Sequence, residues 1–388
     1  MSRAKRRVCV VITARPSYSR IKTALDAIVA HPDLELILVV AASALLERYG
    51  MVVKEIERDG FAIAARVRMV IEGEHVGAMA KTTGLGMIEL ATTFENLNPD
   101  IVVTVADRFE TMATALTAAY MNIPLAHIQG GEVTGSIDEK VRHSVTKLAD
   151  LHLVSCEPAA DRVRRLGERS RQVFVTGCPS IDLASRIMDD PALDFDPCSK
   201  YGGVGPYVDV RQPYIVVLQH PVTTEHRLAR RHTDETLAAV LETGIPALWF
   251  WPNVDAGSDS TSQALRIFRE RHPDAPVHFF KNFAPIDFLK LLYNAQALVG
   301  NSSVGVRECG YLGTPVVDIG SRQHGRDKSV NVLAADYTQY SISAALRQQV
   351  AAGRYPQDLL YGDGLAGPRI AQALADAPLT VTKFLHFE

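Results

Sequence analysis

Short apolar, β-branched segments alternate with helix-length segments from one end of the 388-residue chain to the other. Because these segments lack polar alternation, each predicts a strand buried on both faces, as in a parallel sheet covered by helices. The predicted strands are Val8–Thr13, Leu34–Ala41, Ile101–Ala106, Leu125–Gln129, Leu151–Ser155, Val173–Gly177, Tyr214–Gln219, Ala247–Trp251, Val277–Lys281, Ala297–Gly300 and Pro315–Ile319. Helices are predicted between them, for example over Arg108–Met121 and Ala284–Asn294. The pattern predicts an α/β protein with doubly wound sheets.

One stretch breaks this alternation. From Met188 to Gln212 the sequence is rich in Asp, Pro and Gly and has no periodicity. We interpret residues 188–212 as a linker between two Rossmann-like domains, residues 1–187 and residues 213–388. Since ligands of such folds bind at the carboxyl ends of the strands, the sequence predicts a binding cleft between the two domains.

The composition argues against several classes of partner. Apolar residues make up 47% of the chain and the formal net charge is −3, without a basic cluster beyond Arg3–Arg7, so nucleic acid is not expected. The first apolar run, Val8–Ile12, is too short for a signal peptide or a membrane span, so no membrane partner and a cytoplasmic location are expected. Five scattered cysteines and the lack of a dinucleotide or Walker motif predict neither disulfides, nor a metal, nor a cofactor.

Acidic residues follow the predicted strands of the first half. Asp107 comes directly after one strand, and Glu132 and Asp138 lie in a glycine-rich loop after the next. Carboxylates in such a place can transfer protons. Each also has a structural explanation. Asp107 would suit the N-cap of the following helix, and Glu132 and Asp138 could belong to a solvated loop, with Asp138 in the first turn of the next helix. Arg15, after the first strand, could bind a phosphate or pair with a surface acid.

The second half offers small polar residues instead. In GNSSVGVREC (300–309) a strand ends at a glycine, and Ser302 and Ser303 then open a helix whose free N–H groups could bind a phosphate. The alternative is that the serines only cap the helix. His220 precedes a proline at a strand end, where a structural histidine is as reasonable as a functional one.

Several longer strings resemble one protein family. ADRFETMATALTAAYMNIPLAHIQGGEVTGSIDEKVRHSVTKLADLH (106–152) is similar to the signature region of hydrolysing UDP-N-acetylglucosamine 2-epimerases, which include bacterial sialic-acid pathway enzymes and the epimerase half of an animal bifunctional epimerase/kinase. Further similar strings follow in the family's order: LQHPVTTEHR (218–227), WPNVDAGS (251–258), VGNSSVGVRECGYLGTPVVDIGSRQHGR (299–326) and YGDG (361–364). The resemblance implies the GT-B fold around a nucleotide-sugar cleft, a C-terminal helix that crosses back, and a homodimer or homotetramer.

The resemblance also implies a reaction and its residues. A base would remove the C2 proton while UDP leaves C1, and water would then add to the resulting 2-acetamidoglucal to give N-acetylmannosamine. Matching positions assign Asp107, Glu132 and Asp138 to proton transfer. The positions implied for substrate binding are Arg15, His220, Ser302, Ser303 and Arg322 for the diphosphate, Asn253 and Glu308 for uridine and ribose, and Gln129.

Two residues depart from the family pattern. Ser17 stands where an Asp is usual, and Gln129 stands where the animal enzyme has Glu. They leave open the same reaction on a UDP- or GDP-linked 2,4-diacetamido-trideoxy hexose. A GT-B glycosyltransferase and a non-catalytic nucleotide-sugar sensor would also suit this fold. The string HIQGGEVT, in place of the HxEAGLRT type of the non-hydrolysing relatives, favours hydrolysis.

A further resemblance concerns regulation. The segment ALRIFRER (264–271), with Arg266 and Arg269 three residues apart, resembles a part of the animal enzyme that binds a CMP-linked end product. A solvated basic helix face is the alternative.

Overall fold

The computed structural model describes residues 4–47, 50–71, 76–134, 138–252 and 258–387. Its contacts divide the chain into two compact units. The first unit contains Met1–Glu132, Asp138–Asp182 and Tyr361–Glu388, and the second contains Val133–Ile137 and Leu183–Leu360. No helix in the described ranges is long and apolar enough to cross a membrane.

The first unit is built on a parallel sheet in the order β3-β2-β1-β4-β5-β6-β7. Its strands are β1 (Arg6–Ile12), β2 (Leu34–Ala41), β3 (Ile63–Val67), β4 (Ile101–Val105), β5 (Leu125–Ile128), β6 (Leu151–Val154) and β7 (Val173–Val175). Its helices are α1 (Arg15–Ser19), α2 (Lys22–Ala30), α3 (Val52–Arg58), α4 (Val76–Leu97), α5 (Phe109–Tyr120), α6 (Asp138–Leu148) and α7 (Glu157–Arg165). The strand order reverses between β1 and β4, which is the doubly wound arrangement.

The second unit repeats this plan in the order β10-β9-β8-β11-β12-β13, again with parallel neighbours. Its strands are β8 (Ile215–Leu218), β9 (Ala247–Phe250), β10 (Val277–Phe280), β11 (Ala297–Gly300), β12 (Val316–Ile319) and β13 (Val332–Ala335). The helices that follow in the chain are α8 (Pro179–Asp189), α9 (Pro197–Tyr201), α10 (Ala229–Thr243), α11 (Ser258–Arg271), α12 (Pro285–Asn294), α13 (Ser303–Val306), α14 (Glu308–Leu312), α15 (Gln339–Ala352) and α16 (Ala366–Asp376). The sheet reverses between β8 and β11.

The last helix, α16, belongs to the first unit. Ile370 and Leu374 are fully buried in the core cluster that also holds Val8, Val10 and Ile12 of β1. The N-terminus of α16 is capped by a side chain distant in sequence. The two carboxylate oxygens of Asp182 accept hydrogen bonds from the backbone N–H groups of Ala366 and Gly367 at 2.8 and 2.7 Å. The C-terminal residues thus complete the core of the unit in which the chain begins.

Residues 188–212, for which we predicted a linker, are part of the second unit. The ring of Tyr201 on α9 stacks on Phe283 with centroids 3.9 Å apart, and Lys290 lies 2.9 Å from the carboxylate of Asp190. Aromatic and charged side chains fix this segment to the loop before α12 and to α12 itself, which its Pro and Gly content does not reveal.

The predicted strands are confirmed to within one or two residues at their ends, and so are the two predicted helices, α5 and α12. Two further strands, β3 and β13, had no prediction. Both lie at sheet edges and are only partly buried, so their sequences lack the continuous apolar run of the central strands.

Candidate active site

Backbone strain marks the carboxyl edge of the first sheet. Ala106, after β4, has φ of 63°, and Gln129, after β5, has φ of 65°. Non-glycine residues rarely adopt this left-handed conformation, which costs about 1–3 kcal/mol and concentrates at functional sites. The two strained residues directly precede Asp107 and the Gly130–Gly131–Glu132 turn.

Asp107 forms a buried ion pair with Arg142 of α6. Helix α5 begins at Phe109 with Arg108 as its cap residue, so Asp107 is not the N-cap and that alternative is wrong. Arg142 is 1% exposed, and a guanidinium so far from water requires paired, hydrogen-bonded partners. The carboxylate of Asp107 is therefore held in a dry environment by a fixed cation.

Arg142 also connects Asp107 to the second predicted acid. Its Nη1 donates to the backbone carbonyl of Glu132 at 2.9 Å and lies 3.4 Å from the carboxylate of Glu139. Arg142 was not among the residues predicted from the sequence. A detectable signal was its spacing of four residues from Asp138, which places both on one face of α6.

Glu132 is buried, and its Oε1 accepts a hydrogen bond from the hydroxyl of Ser155, after β6, at 2.7 Å. Asp138 is half-buried in the first turn of α6, as the electrostatic alternative expects. The structure thus brings Asp107 and the Glu132 loop together through Arg142 and places Asp138 one helical turn away on the same helix.

His127 of β5 stabilises this edge of the sheet through two hydrogen bonds of its ring. Its Nε2 lies 2.8 Å from the carbonyl oxygen of Ala106 and its Nδ1 lies 3.1 Å from the hydroxyl of Thr146. Because a carbonyl only accepts, Nε2 carries the proton and Nδ1 accepts from Thr146. Full burial lowers the pKa of His127 to about 4, so the ring is neutral at physiological pH and holds the strained Ala106 by a hydrogen bond.

The side chain of Gln129 points to Cys178. Its Nε2 donates to the Cys178 Sγ at 3.1 Å, and that sulfur lies 3.0 Å from the hydroxyl of Ser180. Its Oε1 is buried and accepts no hydrogen bond from the described residues. Gln129 thus occupies the site edge as a neutral, buried amide.

Arg15 is the first residue of α1, and in the described ranges its guanidinium has no carboxylate within ion-pair distance. Burial lowers its pKa, with an opposing contribution from the charge of Glu55. The alternative in which Arg15 pairs with a surface acid is therefore not realised among these residues. Ser17, the residue that departs from the family pattern, is buried in the same short helix.

The carboxyl edge of the second sheet is held by Asn301. Its Oδ1 accepts from the backbone N–H of His220 at 2.7 Å, and its Nδ2 donates to the carbonyl of His220 at 2.8 Å. The carbonyl of Asn301 accepts in turn from Arg322 at 3.2 Å and Gln323 at 2.8 Å. Gly300 is required here because a Cβ would lie 2.1 Å from the carbonyl of Leu218. Three loops that carry predicted residues meet at this asparagine.

Ser302 is the N-cap of α13 and accepts from the N–H of Val304 at 3.4 Å, so the capping alternative holds for it. The helix that Ser303 opens has only four residues and is followed at Arg307 by the separate helix α14. A full helix dipole is therefore not available, and any phosphate binding would rely on local N–H groups.

Glu308 and Asn253 are the remaining predicted binding residues. Glu308 begins α14, and its Oε2 is buried without a hydrogen-bond partner among the described residues. Asn253 lies outside the described residues.

On α11, which carries the segment that resembles an effector site, Arg266 is exposed and Arg269 is partly exposed. A homo-oligomer and effector binding stay predictions.

The structure defines a protein with two doubly wound Rossmann-like units of the GT-B class, with polar side chains at the carboxyl edges of both sheets. In the described ranges, no group of three or more His, Cys, Asp or Glu side chains could hold a metal ion.

Comparison with known proteins identifies the family. The family model for UDP-N-acetylglucosamine 2-epimerase matches residues 26–375. A Legionella pneumophila UDP-N,N'-diacetylbacillosamine 2-epimerase (hydrolyzing) is 30% identical over 374 residues, which cover 96% of this chain and 97% of that protein. A Neisseria meningitidis UDP-N-acetylglucosamine 2-epimerase is 32% identical over 93% of this chain and 91% of its own length. This chain therefore belongs to the UDP-N-acetylglucosamine 2-epimerase family.

Solved structures agree on the fold. The crystal structure of a Neisseria meningitidis UDP-GlcNAc 2-epimerase bound to UDP-GlcNAc superposes with a TM-score of 0.80 over 96% of this chain and 100% of that one, at 15% identity. The predicted GT-B fold with two Rossmann-like domains is confirmed.

Proposed function

We propose that this enzyme converts UDP-N-acetylglucosamine and water to N-acetylmannosamine and UDP. A carboxylate takes the proton from C2, the C2 electrons form a C1–C2 double bond, and UDP leaves C1 with the electrons of the C1–O bond. Water then adds to the 2-acetamidoglucal, its oxygen bonding to C1 and a proton reaching C2 from the opposite face. The first stage needs a proton acceptor at C2, and the second needs a proton donor at C2 and an acceptor near C1 for the proton that the water loses.

The observation that carries the proposal is the buried Asp107–Arg142–Glu132 arrangement. The C2 proton is weakly acidic, so the acids must act in a site from which water is largely excluded. Asp107 and Glu132 are both more than nine-tenths buried, and Arg142 connects the carboxylate of one to the backbone of the other. Fixed carboxylates of this kind need no reorganisation during proton transfer.

For the UDP moiety, we propose binding residues in each unit by itself. In the first unit, Arg15 is a partly buried cation without a carboxylate within 4 Å among the described residues, which favours an anionic ligand such as a diphosphate. In the second unit, the Oε2 of Glu308, which has no hydrogen-bond partner among the described residues, suits an acceptor for ribose hydroxyls. His220, Ser302, Ser303 and Arg322 are proposed for the diphosphate.

A second candidate substrate is a UDP-linked 2,4-diacetamido sugar. It is favoured by the similarity, over nearly the full length, to the Legionella pneumophila enzyme named for UDP-N,N'-diacetylbacillosamine. The reaction would be the same, because C2 and its acetamido group are common to both sugars. The ratio of kcat/KM for the two nucleotide sugars decides between them.

Proton NMR of the products, with no acceptor added, tests the reaction type. Equal amounts of UDP and free N-acetylmannosamine are expected. Formation of UDP-N-acetylmannosamine without free sugar would show a non-hydrolysing epimerase, and consumption only after addition of an acceptor sugar would show a glycosyltransferase.

A further inference from the structure

Glu168 lies at the centre of a cluster of titratable side chains in the first unit, to which the proposed reaction gives no role. The residue is 4% exposed, and its carboxylate contacts side chains from α6, from β6 and from the C-terminal part of the chain. Its Oε1 lies 2.6 Å from the Nζ of Lys147, and its Oε2 lies 3.0 Å from Nε2 of His152 and 2.7 Å from the Nζ of Lys383. We call these four residues the Glu168 cluster.

The carboxylate of Glu168 stays charged. Burial acts to raise its pKa, but hydrogen bonds from His152, Lys147 and Lys383 outweigh burial and lower the pKa to about 2. Burial lowers the pKa of His152, so its ring is neutral at physiological pH and donates through Nε2. One buried anion therefore holds two lysines, one on α6 and one close to the end of the chain.

Lys383 belongs to residues 378–387, which follow α16 and form neither helix nor strand. Its side chain is half-buried, whereas both of its neighbours in the sequence are exposed. The backbone N–H of His386 donates to the carbonyl of Gly167 at 3.0 Å. This hydrogen bond fixes the segment beside the loop that carries Glu168, with Lys383 turned inward.

Lys383 also binds the carboxyl end of α6. Its Nζ donates to the backbone carbonyl of Thr146 at 3.4 Å and to that of Ala149, directly after the last residue of the helix. The last carbonyl groups of a helix have no partner within the helix and carry a partial negative charge, so a cation is stabilising there. Lys383 therefore caps the helix that carries Asp138 and Arg142.

Thr146 connects this cap to the candidate active site. It follows Arg142 by four residues, so the two lie on one face of α6. Its hydroxyl contacts the ring of His127, which in turn holds Ala106, directly before Asp107. A displacement of this end of α6 would therefore reach Asp107 in two ways, through the guanidinium of Arg142 and through the ring of His127.

We infer that Lys383 is a positioning residue for the proton transfers, acting through α6 on the ion pair of Asp107 with Arg142. The inference rests on the proposed function. Proton transfer requires groups within hydrogen-bond reach, and a misplacement of about 1 Å can lower a rate about 10²-fold. Because α6 supplies none of the residues proposed for the nucleotide, Lys383 should affect kcat and not the binding of UDP.

Lys383→Met in the full chain tests this inference, because it keeps an unbranched side chain but removes the charge and the N–H donors. We expect kcat to be about tenfold lower, UDP affinity in calorimetry to be unchanged and hydrogen exchange of the α6 amides to be faster. Lys383→Arg, which restores charge and donors, should recover most of the rate. The matched control is Lys5→Met, at an exposed lysine before β1, which should change nothing.

Hydrogen exchange is measured without substrate, so it separates this inference from the proposed function. A native protein that releases no N-acetylmannosamine would refute the proposed function, whereas unchanged exchange of α6 in Lys383→Met would overturn the positioning role. A native kcat in Lys383→Met despite faster exchange would also overturn it, because Lys383 would then stabilise the helix without affecting the reaction. A loss of UDP affinity equal to the loss of kcat, or no recovery in Lys383→Arg, would have the same consequence.

Discussion

The carboxyl edges of the two sheets are built from the same topology but from different chemistry. In the first unit the part of the edge that follows β4 and β5 carries two strained residues, Ala106 and Gln129, and the buried ion pair of Asp107 with Arg142. In the second unit the edge is held by the neutral amide of Asn301. Strain and buried charge are expensive to maintain, which supports our proposal of proton chemistry at the first edge and ligand binding at the second.

The largest effect that distinguishes the two edges is expected from the acids. Asp107→Asn keeps the shape of the side chain but removes its basicity, so kcat should fall about 10²-fold or more, while UDP affinity changes little. Glu132→Gln and Asp138→Asn should act in the same direction. Steady-state kinetics and calorimetry with UDP measure this, and Glu95→Gln, at an exposed acid of α4, is the control. A loss of UDP binding equal to the loss of kcat would place the acids in binding instead.

A smaller effect, on the free energy of unfolding, is expected when the pH is lowered, and it arises from His127. Its pKa is about 4 in the fold against 6.5 unfolded, so the unfolded chain takes up the proton first and stability falls as pH drops below about 6.5. Between pH 7 and pH 5 this residue should remove about 2 kcal/mol of unfolding free energy. Denaturant unfolding at both pH values measures the loss.

His127→Gln provides the comparison for that experiment, because it can keep one hydrogen bond but does not titrate. Its stability should be lower at pH 7 but should fall less between pH 7 and pH 5. An identical pH dependence in the variant and the native protein would show that His127 is not the group responsible.

At the second edge, a change of charge without a change of fold is possible at Ser302. Asp is as good an N-cap as Ser, so Ser302→Asp should leave α13 intact while its charge repels the diphosphate. UDP affinity should fall about tenfold, an effect of ordinary size for one added charge near an anion. The neutral cap in Ser302→Asn should bind nearly as the native protein does. Equal UDP affinity of all three proteins would exclude Ser302 from the nucleotide site.

The smallest effect is expected at Gln129. Its amide already fills the position to which the family resemblance assigns Glu, and Asp107 and Glu132 follow the ends of the neighbouring strands β4 and β5. Gln129→Glu should therefore change kcat by less than about threefold, as judged by initial rates. A gain or loss of 10²-fold would mean that this position controls the proton transfers.

Much of the difference between the two sheet edges could be predicted from the sequence, but the side-chain contacts that hold each edge could not. Continuous apolar runs predicted the central strands, whereas the half-exposed edge strands β3 and β13 lack that pattern. The residue types at strand ends predicted Asp107 and Ser302 as candidates. Arg142 and Asn301 were missed, because a charged residue in a polar helix and a lone amide gain their roles only from partners distant in the chain.

Deuterium incorporation tests the central claim, proton removal at C2 by the first edge, most directly. The enzyme is incubated with UDP-N-acetylglucosamine in D2O, and the released sugar is analysed by NMR and mass spectrometry. We expect N-acetylmannosamine with deuterium at C2, because the abstracted proton exchanges with solvent before water adds to the glucal. Full retention of the original C2 hydrogen would contradict elimination and, with it, the roles assigned to Asp107, Glu132 and Asp138.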